Sequence, residues 1–116
     1  MSDQPGLQSD DGTKPFEIRS ERIPGDRLCL WISGDIDSAE RDLIVDELDG
    51  GPAPAEIFIE LSEVGHVYSP GIAALIHACR ILDGIDERVT LIDPPAQVIR
   101  MLEACKISDQ FTVQLG

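Results

Sequence analysis

From Phe16 onward the chain switches repeatedly between two hydrophobic periods, and that switching constrains its fold more than any other feature. Phe16, Ile18 and Ser20 interleave with Glu17, Arg19 and Glu21, the period of two that marks a half-exposed strand, which runs to Ile23. Pro24-Gly25-Asp26 is a turn signal, and residues 27–33 read as a more buried strand stopped by Gly34, so the two strands form a hairpin. The period then lengthens. Asp37 or Ser38 caps a helix, with Glu40 three residues after Asp37 as a near capping box. Ala39, Leu43, Ile44 and Leu48 are expected to face inward until Asp49-Gly50-Gly51-Pro52 ends the helix.

The alternation repeats twice more. Residues 57–61 are apolar on both faces and read as a central strand, followed by a polar connection over residues 62–66. Ser69-Pro70-Gly71 opens a second helix, with Ser69 as N-cap, Pro70 as first helical residue and Ile72, Leu75, Ile76 and Cys79 as the apolar stripe, closed by Asp83-Gly84. Residues 88–92 form a fourth strand. Asp93-Pro94 starts a third helix with Val98, Met101, Leu102 and Cys105 inward, and residues 111–115 form a short last strand or extended tail. The order β, β, α, β, α, β, α, β predicts an α/β fold with right-handed crossovers and a mixed sheet. Full burial is expected for Ile57, Ile59, Leu75, Leu91 and Leu102.

Residues 1–14 carry only Met1 and Leu7 as apolar side chains, too few to offset the entropy of ordering them, and are expected to be a disordered tail; residues 15–116 form the domain. Nine Lys and Arg against 22 Asp and Glu give a net charge of −13, which disfavours nucleic acid and anionic membrane surfaces as partners. No apolar run reaches membrane-spanning length, so no membrane insertion is expected, and the first residues lack the basic start and apolar core of a secretory signal. A cytoplasmic location is expected. Cys29, Cys79 and Cys105 lie in apolar runs without metal-ligand spacing and read as small buried hydrophobes in a reducing compartment.

The motifs of several chemistries are missing: no glycine-rich phosphate loop, no HExxH, no CxxC. His77 reads as a packing or surface residue. His66 lies close to Ser69, but no G-x-S-x-G elbow surrounds that serine. No catalytic residue, cofactor or metal site is expected. Residues 35–63 carry ten acids and one base, −9 of the −13, which is either a solvated helix face or a surface that steers a basic partner. Ser69 also stands where a phosphate would be stabilised, since free N–H groups and the helix dipole point at it.

The run from Glu60 to Leu75, with Leu61-Ser62, Val64, and Ser69-Pro70-Gly71-Ile72, resembles the central signature of STAS domains, which include the bacterial anti-sigma factor antagonists. Ser33-Gly34-Asp35-Ile36-Asp37 resembles the segment before that family's first helix, and residues 88–92 and 98–103 match its following strand and helix. The likeness runs from about Phe16 to Val113. It implies a STAS-like sheet of four to five strands with three to four helices, without catalytic activity, that binds an anti-sigma factor or serine-kinase-type protein. The implied partner-binding residues are Asp35, Asp37, Ser38, Glu40, Tyr68, Ser69, Pro70 and Gly71. In the family, a serine at the helix start is phosphorylated by the partner kinase. By position that acceptor falls on Pro70 and its acidic neighbour on Tyr68, so the implied switch is lost and Ser69 remains as a substitute acceptor. Two other readings keep the module: a STAS subunit of a transporter ATPase complex, or a STAS domain that senses a small molecule.

Overall fold

The computed structural model describes residues 14–82 and 89–115. Its elements are β1 (Glu17–Ile23), β2 (Arg27–Ile36), α1 (Ser38–Leu48), β3 (Glu56–Val67), α2 (Ser69–Ile81), β4 (Val89–Ile92), α3 (Ala96–Ala104) and β5 (Phe111–Gln114), with a 3-10 turn at Ser108–Gln110 before the last strand. The strands form one sheet in chain order, β1-β2-β3-β4-β5. β1 and β2 are antiparallel, and every later pair is parallel. This is the expected mixed α/β sheet. The tail expected over residues 1–14 lies outside the described residues except for Lys14, which pairs with Glu63. The expected stop at Asp83-Gly84 and the expected first strand residue Arg88 also lie outside them.

Each parallel connection moves one strand in the same direction. Right-handed crossovers then place α1, α2 and α3 on one face of the sheet and leave the other face open. Burial along β2 shows this. Leu28, Leu30, Ile32, Gly34 and Ile36 are buried, while Arg27, Cys29, Trp31, Ser33 and Asp35 between them are half-buried. The core joins these residues to Ile57, Ile59 and Leu61 of β3, Val89 and Leu91 of β4, and the inner faces of the helices. Ile57, Ile59, Leu75, Leu91 and Leu102 are all buried, as expected.

Gly34 does not stop β2. The strand continues to Ile36, with Gly34 at φ +88, and a Cβ there would lie 2.7 Å from the Cα of Phe16. Glycine permits both the left-handed backbone and the close passage of the chain entering β1. The polar stretch 62–66 is likewise strand rather than connection. β3 pairs Trp31 with Glu60, Ser33 with Glu63 and Ile36 with Val67, so it gains one residue on β2 in each of two steps. Each step is a bulge. The bulges bring Leu61, Val64 and Val67 into the core at a spacing of three, and a strand with that spacing does not show a period of two.

The helix stripes shift in phase. On α1, Ile44 and Leu48 are buried, but Ala39 is exposed and Leu43 is 48% exposed, contrary to expectation. On α2, Ile72 and Leu75 are buried and Ile76 and Cys79 half-buried. Gly71, Ala74 and Ala78 lie innermost, where small side chains let the helix approach the sheet. α3 begins at Ala96, not Pro94, because Asp93 has φ +50 and Pro95 is the N-cap. Val98 and Leu102 are buried and Met101 half-buried, but Cys105 is exposed at the C-cap and is not the buried hydrophobe expected. Cys29 and Cys79 are half-buried.

Candidate functional site

β2 and β3 are parallel, so they end at the same edge of the sheet, and α1 and α2 begin there side by side. Asp37 leaves β2 in an extended conformation and caps α1. Its Oδ1 accepts from the N–H of Ser38 at 2.9 Å, and Glu40 Oε1 accepts from the N–H of Asp37 at 2.9 Å, completing a capping box. Asp37 and Glu40 are therefore held by the helix start, and their charges favour its positive dipole end.

The start of α2 differs from the sequence expectation. Tyr68, not Ser69, is the N-cap, and no side chain caps the helix. The Tyr68 N–H donates to the carbonyl of Ile36 at 2.9 Å, extending the β2–β3 ladder one residue past β3, and the Gly71 N–H donates to the Tyr68 carbonyl at 2.8 Å. The backbone thus turns helical one residue earlier than a Ser69 cap requires. Ser69 becomes the first helical residue and Pro70 the second, with Ser69 exposed and Pro70 half-buried. Tyr68 is 45% exposed, and the centre of its ring lies 4.4 Å from that of His66. Gly71 is buried, and a Cβ there would meet Val67 Cγ1 at 2.6 Å and Ile36 Cγ2 at 2.9 Å. It belongs to the seating of α2 on the two strand ends, not to the outer surface where the sequence placed it.

Asp35 is also committed internally. Opposite the second bulge its Oδ1 accepts the N–H of His66 at 2.8 Å, and a Cβ on Gly65 would lie 2.5 Å from that oxygen. Gln97 of α3 was not anticipated. Its Oε1 accepts the Val67 N–H at 3.0 Å, and its Nε2 donates to the Val67 carbonyl at 2.7 Å and sits 3.3 Å from His66 Nε2. β4 pairs with β3 only over Ile57–Glu60, so the far half of β3 has no strand on that side, and Gln97 satisfies the Val67 backbone in its place. An amide at the start of a helix carries no sequence signal for this role.

The acidic run of residues 35–63 is divided among local tasks. Arg41 donates to Asp42 at 3.0 Å, the Ser20 hydroxyl donates to Glu47, His77 Nε2 meets Asp49 Oδ1 at 2.8 Å, and Glu60 accepts the Ser62 N–H at 3.1 Å. His77 therefore links α2 to the end of α1. Asp42 and Asp46 are exposed on the outer face of α1, flanking Leu43. Burial pushes the Cys79 thiol up to about 11. Burial, aided by Glu21, raises Cys29. A hollow of about 560 Å³ on the open sheet face is lined by residues including Trp31, Arg19 and Glu60 and by none of residues 68–71. The Arg19 guanidinium carbon stands 4.6 Å from the centre of a Trp31 ring. Among the described residues no helix is long and apolar enough to cross a membrane.

The family model described as "Mlab, STAS domain" matches residues 20–114, nearly the whole chain, and the chain belongs to this STAS family. No curated protein sequence matches it significantly. Solved structures with the same fold include the Bacillus cell fate determinant SpoIIAA in its phosphorylated form, with TM-score 0.68, 13% identity, and 84% of this chain and 90% of that chain covered. The anti-sigma factor antagonist SpoIIAA in its unphosphorylated form gives 0.65, 16% identity and coverage of 84% and 87%. An anti-sigma factor antagonist from Mycobacterium paratuberculosis gives 0.67, 18% identity and coverage of 86% of each chain. At these identities the likeness establishes the fold.

Proposed function

We propose that this chain is a non-catalytic interaction module of the cytoplasm that binds an anti-sigma factor or serine-kinase-type protein. The docking surface is the shared start of α1 and α2: Asp37, Ser38, Glu40, Tyr68, Ser69 and Pro70. The observation that carries this reading is Tyr68. A large aromatic residue, 45% exposed, fixed through its backbone N–H to the end of β2 and set beside the acids of α1, is an anchor of the kind that concentrates binding energy in protein interfaces. Asp35 and Gly71 support that surface from beneath. Pro70 has no hydroxyl, so this surface is not switched by phosphate at that position.

A second reading, a STAS subunit of a transporter ATPase complex, is favoured by the same proline, since a surface with no acceptor there suits a permanent subunit. Affinity capture from native cells distinguishes the two. A co-purifying kinase-fold anti-sigma factor supports the first, and a transporter ATPase with its permease the second. In either case Tyr68→Ala must weaken the complex at least about tenfold, the loss expected for an interface anchor. An unchanged affinity overturns this docking surface.

A further inference from the structure

We infer that the free edge of β5 is a self-association site, at which two copies of this chain pair antiparallel about a two-fold axis through Val113. Three observations converge on this edge. First, it is uncharged and exposes two apolar side chains. Residues 110–115 carry no charge, and Val113 and Leu115 are 42% and 75% exposed. The opposite edge, β1, carries Glu17, Arg19, Glu21 and Arg22, the kind of charges that blunt an edge against pairing. Among the described residues, no strand covers the outer side of β5.

Second, its hydrogen-bonding groups are set for this register. The Gln114 carbonyl accepts the Asp93 N–H at 2.8 Å, so it points inward toward the β4 side. Backbone groups of successive strand residues point to opposite sides, so those of Phe111, Val113 and Leu115 point outward. A two-fold through Val113 pairs Val113 with its own copy, Phe111 with Leu115 and Thr112 with Gln114. The outward groups then form hydrogen-bonded pairs, and the apolar side chains of both copies gather on one face. The sequence is complementary to itself in this register and places no like charges opposite each other.

Third, the charge distribution permits a second copy here. Residues 89–115 hold Arg100 and Lys106 against Asp93, Glu103 and Asp109, a net of −1 in a chain of −13. Two copies that meet at β5 join their nearly neutral ends. The acids of α1 and of β1 to β3 lie toward the far side of each sheet. A contact through β1 or α1 brings the acidic ends together instead. The product is a continuous sheet of ten strands, with the starts of α1 and α2 uncovered in both copies.

The test is sedimentation velocity of the full chain from micromolar to several hundred micromolar concentration. A concentration-dependent dimer is expected. Val113→Lys and Leu115→Lys are each expected to raise its dissociation constant about tenfold or more, because the first places like charges directly across the two-fold and the second sets a charge against the apolar Phe111 of the other copy. Mixing Val113→Lys with Val113→Glu is expected to restore a one-to-one heterodimer. Leu115 is the most exposed of these side chains, so its variant gives the reading if Val113→Lys does not fold. A wild-type chain that stays monomeric throughout overturns the proposal. So does a dimer that a folded Leu115→Lys variant leaves unchanged.

Discussion

The carboxylate of Asp35 holds the main chain of His66. Oδ1 accepts that N–H at 2.8 Å, opposite the bulge by which β3 gains its second extra residue on β2. The bulge is what brings Tyr68 level with the end of β2. The exposed tyrosine at the candidate site therefore depends on a buttress one strand away, and on Gly65, where a Cβ would lie 2.5 Å from the same oxygen.

Asp35→Ala and Gly65→Ala should consequently remove the same bond by different means. The first deletes the acceptor. The second pushes it away, and the Asp35 side chain yields more readily than backbone. Each should destabilise the fold by about 1–2 kcal/mol, the cost of losing a charge-assisted hydrogen bond at a half-buried site. In the double variant the costs should not add, because the second change finds nothing left to break. Urea denaturation of the four proteins measures this, and simple additivity contradicts the shared bond.

The element order was readable because each element announces its period, and the central place of β3 followed from the unbroken apolar run at residues 57–61. The second half of β3 was not readable. Its buried residues, Leu61, Val64 and Val67, recur every three positions because two bulges interrupt the pleat, and no pattern of residue types marks a bulge in advance. The capping box at Asp37 and Glu40 was legible, since it is a local hydrogen-bond motif. The cap of α2 was not, because Tyr68 takes that position through a long-range bond to Ile36, which overrides the local preference for serine. For the same reason Gly71 reads in the sequence as a loop surface residue, although it is a buried contact point between α2 and two strand ends.

Gly71→Val, which the sequence alone marks as a change at the binding surface, should therefore act mainly on stability. Its side chain has to displace Val67 and Ile36, and overpacking of this kind costs about 1–3 kcal/mol or more. Gly71→Ala should cost less, because alanine recovers up to about 1 kcal/mol of helix propensity. Thermal unfolding should rank wild type above alanine and alanine above valine. A valine variant of unchanged stability with lost binding restores the surface reading.

The charge of Glu40 can be separated from its structural role. Gln at this position keeps an oxygen for the Asp37 N–H, so Glu40→Gln should retain the capping box, whereas Glu40→Lys removes it at about 0.5–2 kcal/mol. If the acids of α1 steer a basic partner, Glu40→Gln should slow association while leaving dissociation and stability nearly unchanged. The difference should shrink as salt rises. Stopped-flow association at two ionic strengths reads this, and a salt-independent rate leaves only a solvated helix face.

Cys79 predicts a stability loss in alkali. Its thiol is raised from the ordinary 9.0 to about 11 by burial, so the folded state holds the proton more tightly than the unfolded chain. That contribution is complete below pH 9 and is lost as pH rises from about 9 through 11. Cys79→Ala should flatten this part of the stability profile. Alkylation at pH 8 should label the exposed Cys105 well before Cys79.

The last prediction concerns phosphate. Pro70 cannot accept it, and Ser69 is the only hydroxyl left between Tyr68 and Gly71. The sequence suggests that Ser69 is guarded by its own bond as N-cap. The structure removes that guard, since Ser69 is exposed in the first helical position with no side-chain capping bond. Its resistance must then come from its neighbours. Pro70 fixes the backbone immediately after it, and the Tyr68 ring, packed against His66, stands where the resembling family has an acid. Incubation with a partner kinase and ATP, read by intact mass, should give little phosphate on the wild-type chain, and any that forms should map to Ser69. Pro70→Ser should change this little. Tyr68→Asp with Pro70→Ser should accept phosphate at residue 70, where nearly two added negative charges beside Asp37 and Glu40 should weaken binding of the partner. Stoichiometric phosphate on wild-type Ser69 would mean that the switch has moved by one residue and still operates.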